Sequence, residues 1–113
     1  MAEDVKTWFQ DFKKGSAKAK EQAPDVINGF GNMFAKIMQD GAISLKTKEL
    51  IAVAIGVAVQ CEPCIRLHAQ KCLSAGCTRD EILEAASVAV VMGGGPAYTH
   101  LPMLIETLDA LEA

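Results

Sequence analysis

The sequence has no excess of positive charge. Its formal net charge is −3, and the early lysines (Lys6, Lys13, Lys14, Lys18, Lys20) alternate with Glu3, Asp4, Asp11 and Glu21. Non-specific nucleic-acid binding draws on clustered Lys and Arg. This stretch therefore reads as a solvated helix face, and no nucleic-acid partner is expected. A long hydrophobic run is also missing. The longest, Leu50 to Val59, falls well short of the roughly 20 apolar residues that span a bilayer. The start of the chain has no continuous apolar stretch of the secretory type. No membrane partner is expected, and the expected compartment is cytoplasmic. Structural disulfides are uncommon there, so the four cysteines point to catalysis, metal binding or burial rather than a secreted framework. Repeats, low-complexity tracts and linkers are absent too, and 113 residues suit one domain, residues 1–113.

What is present is apolar residues at a helical period. They make up 50% of the chain, a composition of globular proteins. Val5, Trp8, Phe9 and Phe12 follow i, i+3, i+4, i+7. Pro24 interrupts, and Ile27, Phe30, Phe34 and Ile37 form a second stripe that Asp40-Gly41 ends. Ser44 is an N-cap candidate for a third helix running from Leu45 to about Gln60. Its middle, Ile51 to Val59, is apolar on every side, which predicts burial all round. A fourth helix starts at Glu62-Pro63, since proline suits a first turn, and ends with Gly76 as its C′ residue. Thr78 and Glu81 make a capping-box pattern for the fifth, which Gly93-Gly94-Gly95-Pro96 ends. Leu101, Leu104, Ile105, Leu108 and Leu111 share a face of the last. The fold class is all-α, with about six helices. So short a chain has little surface with which to bury an all-apolar third helix, so a homo-oligomer is expected.

The stretch that carries chemistry is Cys61-Glu62-Pro63-Cys64-Ile65-Arg66-Leu67-His68. Cysteines three apart at a helix start can exchange between dithiol and disulfide, and helix-end amide dipoles favour the reactive thiolate. His68 lies four residues beyond Cys64, one turn along the same face. It can accept the thiol proton directly or through a water. A thioredoxin-like setting needs a βαβ unit, which the sequence does not offer. Zinc is the main competitor, with Cys61, Cys64, His68 and Cys72 as candidate ligands. On one helix Cys61 and Cys72 stand about 16 Å apart, too far for one tetrahedral ion, and a ligand such as His100 would have to come from elsewhere. No metal and no cofactor are therefore expected. Cys72 and Cys77 read as small buried hydrophobes, His100 as a non-functional histidine, and Tyr98 as a packing residue with a partnered hydroxyl. Glu49 has two readings. It is a solvated first-turn carboxylate, or a proton acceptor on the stripe running through Gly56 to Gln60.

Glu49, Cys61, Cys64 and His68 in this register resemble the signature of the alkylhydroperoxidase D-like branch of the carboxymuconolactone decarboxylase family. Thr47 to Ala52, Ser74-Ala75-Gly76, Thr78 to Glu81 and Met92 to Pro96 resemble it as well, so the likeness covers roughly Phe30 to Pro96. The resemblance implies an all-helical fold assembled as a homo-trimer or homo-hexamer. It implies a thiol-dependent peroxidase or disulfide oxidoreductase acting on a hydroperoxide, with a thiol/disulfide electron-donor protein as partner. It gives Cys64 as the attacking thiol, Cys61 as the resolving one, and His68 with Glu49 as the proton relay. Pro63 departs from the pattern, since peroxidase members often carry a histidine there. Two other classes stand beside this reading. One is a lactone-processing decarboxylase, whose branch generally lacks the cysteine pair. The other is a non-enzymatic redox-sensing module.

Overall fold

A computed structural model of the chain describes the backbone from residue 2 to residue 113 and the side chains from residue 4 onward. The described residues form six helices and no strand: α1 (Ala2–Gln22), α2 (Pro24–Ile37), α3 (Leu45–Ala58), α4 (Glu62–Ser74), α5 (Arg79–Tyr98) and α6 (Leu101–Leu111). No single helix among them is long and apolar enough to cross a membrane. Helix α3 is the hub, packed on α4 and α5, while α6 lies against α4 and α1. The core joins Val53 and Val57 of α3 to Ile65 and Ala69 of α4, Ile82 and Ala86 of α5, and Leu104 and Leu108 of α6. Each large aliphatic side chain buried here contributes about 1.5–3 kcal/mol.

The expected caps form. Ser44 Oγ accepts the Thr47 N–H at 3.1 Å. Thr78 and Glu81 complete the capping box, the Glu81 N–H donating to Thr78 Oγ1 at 3.1 Å and the Thr78 N–H to Glu81 Oε1 at 2.8 Å. Gly76, at φ +92°, ends α4 in a Schellman motif, with the Cys77 N–H on the Cys72 carbonyl and the Gly76 N–H on that of Leu73. Lys48 of α3 ties down the end of α2 by donating to the carbonyls of Ile37 and Gln39 at 2.8 and 2.9 Å.

Two expectations of helix ends need correction. Helix α3 stops at Ala58 rather than Gln60, because Gln60 takes a left-handed φ of 59°. The glycine run kinks α5 rather than ending it: Gly94 is non-helical and the chain then makes one further turn to Tyr98. Helix α3, as expected of so short a chain, is not buried all round by its own chain. Ile51, Ile55 and Val59 form an exposed stripe at four-residue spacing, and Val88, Val91 and Met92 of α5 are exposed as well. Helix α2 buries none of its residues; Phe30, Met33 and Ile37 stay exposed. Of the α1 stripe, Val5 is buried and Phe12 is exposed.

Candidate active site

The site is built where α3 hands the chain to α4. Helix α3 ends in a second Schellman motif, with Gln60 in the left-handed position that Gly76 occupies at the end of α4. The Cys61 N–H donates to the Gly56 carbonyl at 3.0 Å, and the Gln60 N–H to the Val57 carbonyl at 3.2 Å. A left-handed non-glycine residue costs about 1–2 kcal/mol, and here the strain sits directly before the cysteine pair. The cap of one helix thus fixes the first residue of the next. Cys61 is also the N-cap of α4, its Sγ accepting the Cys64 N–H at 3.2 Å. Pro63 occupies the first turn, where no amide hydrogen is needed.

Cys61 and Cys64 are joined as a disulfide, with their Cα atoms 5.2 Å apart. Both are half-buried at the head of α4. Gly56 of α3 backs them. A Cβ at position 56 would lie 3.1 Å from Cys64 Cβ and 3.3 Å from the Ile65 nitrogen. The missing side chain lets the first turn of α4 press onto α3.

The two helices run antiparallel. Two turns back from Gly56, α3 presents Glu49, and one turn on from Cys64, α4 presents His68. Glu49 Oε1 and His68 Nδ1 meet at 2.6 Å, with the Glu49 side chain 5% exposed and that of His68 17%. Glu49 is therefore not a solvated first-turn carboxylate. An ionised carboxylate can only accept, so it takes the Nδ1–H and leaves the lone pair of a neutral imidazole on Nε2. Phe34 of α2 stacks on the imidazole with ring centroids 6.0 Å apart.

Cys64 and His68 open onto a cleft of about 510 Å³ between α4 and the α1–α2 hairpin. Its walls are mainly apolar, including Phe12, Ile27, Phe30, Phe34 and Leu67, and Lys71 stands at one end. Among the described residues no carboxylate lines it.

The remaining cysteines lie away from the cleft. Cys72 and Cys77 are buried and free. Burial pushes both thiols up; for Cys72 the neighbouring Cys77 adds to this, and the Glu49 charge adds to it for both. Cys77 also donates to the Lys46 carbonyl at 3.6 Å. These thiols stay protonated and inert at neutral pH. His100 Nδ1 contacts the Pro96 carbonyl at 2.8 Å, in the turn before α6. Tyr98 is 63% exposed rather than packed. No group of three or more His, Cys, Asp or Glu side chains among the described residues could hold a metal ion.

Sequence reasoning missed three contributors. Arg66 is buried beside the motif, donating to Thr107 Oγ1 at 2.9 Å and pairing with Glu62 at 3.3 Å. Trp8 covers its guanidinium at 5.7 Å. This ties α4 to α6 and α1 behind the site. Phe34 was visible only as part of an apolar stripe. Lys71 had a legible signal, because Cys64, His68 and Lys71 recur at i, i+4, i+7 on one face.

Known proteins share this architecture. A crystal structure of a carboxymuconolactone decarboxylase family protein from Legionella pneumophila superposes with a TM-score of 0.85 at 38% identity, covering 96% of this chain and 95% of that one. A family protein from Thermotoga maritima, proposed to take part in an antioxidative response, superposes with a TM-score of 0.82 at 27% identity over 92% and 89% of the two chains. An uncharacterized protein of Cupriavidus necator is 29% identical over the full length of both sequences. The sequence model of the carboxymuconolactone decarboxylase family matches residues 24–101, the span from the start of α2 to the start of α6 that contains Glu49, Cys61, Cys64 and His68, and the chain belongs to that family.

Proposed function

We propose that the protein is a thiol-dependent peroxidase, with Cys61 and Cys64 as its redox pair and His68 and Glu49 as its proton relay. One observation carries this reading: the disulfide-forming pair heads α4 one turn from an imidazole that a buried carboxylate orients. In the reduced enzyme the Cys64 proton passes to His68 Nε2, directly or through a water, and the helix N-terminus stabilises the thiolate. The thiolate attacks the distal oxygen of a hydroperoxide. The O–O bond breaks, the alkoxide takes the proton from His68 and leaves as an alcohol, and Cys64 becomes a sulfenic acid. The Cys61 thiol then attacks the Cys64 sulfur, water leaves, and the disulfide forms. A dithiol partner protein returns both cysteines to thiols and is itself oxidised to a disulfide.

Several copies of the chain assemble. No residue of helix α2 is fully buried in its own chain, although a 14-residue helix with so little cover is marginal in water. Contiguous exposed apolar surface of the kind on α2, α3 and α5 marks contact sites. The assembly is a homo-trimer or homo-hexamer, and the setting is a reducing, cytoplasmic one in which dithiol donors are maintained.

The test is reduction of cumene hydroperoxide with a dithiol donor by wild type and Cys64→Ser. Turnover by wild type and none above background by the variant is expected. Equal rates would remove the peroxidase reading.

A further inference from the structure

The cleft beside Cys64 has a polarity that peroxide reduction alone does not require. Hydrogen peroxide would make no use of hydrocarbon walls such as Ile27, Phe30 and Leu67. Nor would it use Lys71, the one permanent cation that lines the cleft among the described residues. The Lys71 ammonium rests 4.1 Å from the centre of the Phe34 ring, which also stacks on the His68 imidazole. The ion pairs among the described residues leave Lys71 without a carboxylate. A cation held against an aromatic face keeps ammonium hydrogens available to an acceptor. Lys71 is seven residues beyond Cys64 on the same face of α4, about 10 Å along the axis at 1.5 Å per residue.

Hydrocarbon walls, a lone cation and a thiol about 10 Å away together describe one ligand chemistry. We propose that the substrate is an anionic amphiphilic hydroperoxide. Its acyl chain lies in the cleft, its mid-chain –OOH meets Cys64, and its terminal carboxylate pairs with Lys71. This rests on the peroxidase reading and adds the substrate class to it. The redox step is unchanged: Cys64 takes the distal oxygen, the O–O bond breaks, and the product leaves as the hydroxy acid. The carboxylate is a spectator that sets affinity and register, so Lys71 is a specificity-determining residue and its effect falls on KM more than on kcat.

The test compares wild type, Lys71→Met and Lys71→Arg on two probes below their micellar concentrations: the mid-chain hydroperoxide of linoleic acid and its methyl ester. Wild type is expected to favour the acid in kcat/KM by about fivefold, the upper range for one solvent-screened charge pair. Lys71→Met brings the ratio near one, chiefly through KM, and Lys71→Arg restores it. Equal kcat/KM for acid and ester in wild type, or a preference that Lys71→Met keeps, overturns the assignment and leaves the peroxidase reading standing. If wild type reduces cumene hydroperoxide but neither probe, the substrate assignment falls and the peroxidase reading stands; if it reduces none of the three, the peroxidase reading falls and binding alone judges the cleft. Palmitate raising the Tm of wild type but not of Lys71→Met then supports the anion site. Methyl palmitate doing so equally well overturns it.

Discussion

Glu49 Oε1 lies 2.6 Å from His68 Nδ1, although the two residues stand 19 positions apart in sequence. The contact fixes which imidazole nitrogen can take a proton. Glu49→Gln keeps the shape and removes the charge, so the ring loses the partner that sets its tautomer and stabilises its protonated form. Peroxide reduction is expected to fall about a hundredfold, the lower range for losing general acid–base assistance. The pH dependence of alkylation of reduced Cys64 checks the mechanism. Its midpoint should lie below the reference of about 8.5 in wild type and rise in the variant. Identical midpoints would reduce Glu49 to a structural role.

The two cysteines differ in placement, and their variants should differ in kind. Cys64 lines the cleft, whereas Cys61 caps the helix and is pinned through its N–H to the Gly56 carbonyl. Cys64→Ser should leave no peroxide-reactive thiol. Cys61→Ser should still react once, giving a Cys64 sulfenic acid that a dimedone-type reagent traps and mass spectrometry locates. A sulfenic acid on Cys61 in the Cys64→Ser protein would reverse the assigned order.

Cys72 and Cys77 should behave unlike this pair. Burial raises both thiols from their ordinary value. After mild reduction, native protein should alkylate rapidly at Cys61 and Cys64 and slowly at the buried pair until denaturant is added. The same shift has a pH consequence. A thiol whose folded pKa stands above its unfolded one contributes stability that is fully present below the unfolded value and is lost as pH rises through the folded one. The denaturant midpoint of reduced protein should therefore fall between about pH 8 and about pH 10, with a shallower slope in Cys72→Ala. An identical slope in that variant would assign the alkaline loss to other groups.

Much of this was legible in the sequence, because the local signals act locally. The caps at Ser44 and Thr78, the stop at Gly76 and the first-turn Pro63 depend only on residues within a turn or two. The register of Cys61, Cys64 and His68 follows from a single helix. Glu49 was not legible from periodicity. Its burial depends on α4 folding back antiparallel on α3, a tertiary fact that the family resemblance supplied. The left-handed cap at Gln60 was hidden because glutamine is no usual residue for that conformation. The all-apolar character of α3 was legible, but which of its sides its own chain leaves uncovered was not, since a helix apolar on all sides looks the same whether its own chain or a neighbour covers it.

Gly56 offers a test of packing as a control on the site. A methyl at this position would stand 3.1 Å from Cys64 Cβ, with backbone of α4 close behind at Ile65. Helix propensity favours alanine by about 0.8–1.0 kcal/mol, while overpacking costs about 1–3 kcal/mol. The close backbone neighbour makes the second effect win, so Gly56→Ala should lower stability by about 1–2 kcal/mol in chemical denaturation. It should also slow peroxide reduction, because the α4 turn carrying Cys64 must move. A gain in stability would mean that the α3–α4 contact is looser than the geometry describes.

The apolar side of α3 is the place where assembly can be broken by one residue. Ile55 is 56% exposed in the single chain. On a free surface Ile55→Glu would change stability by no more than about 0.5 kcal/mol and leave the molecular mass in solution unchanged. In a subunit interface the same change buries an unpaired carboxylate against hydrocarbon, which costs several kcal/mol per site. Sedimentation at micromolar concentration should therefore find wild type as a defined oligomer and Ile55→Glu as smaller species. The variant should also unfold at lower denaturant, because α2 and α3 lose their cover. Wild type sedimenting as a monomer would leave the exposed stripe without an occupant. An oligomer that survives Ile55→Glu would move the interface to the side of α2 that faces away from the cleft, where Met33→Glu is the corresponding variant.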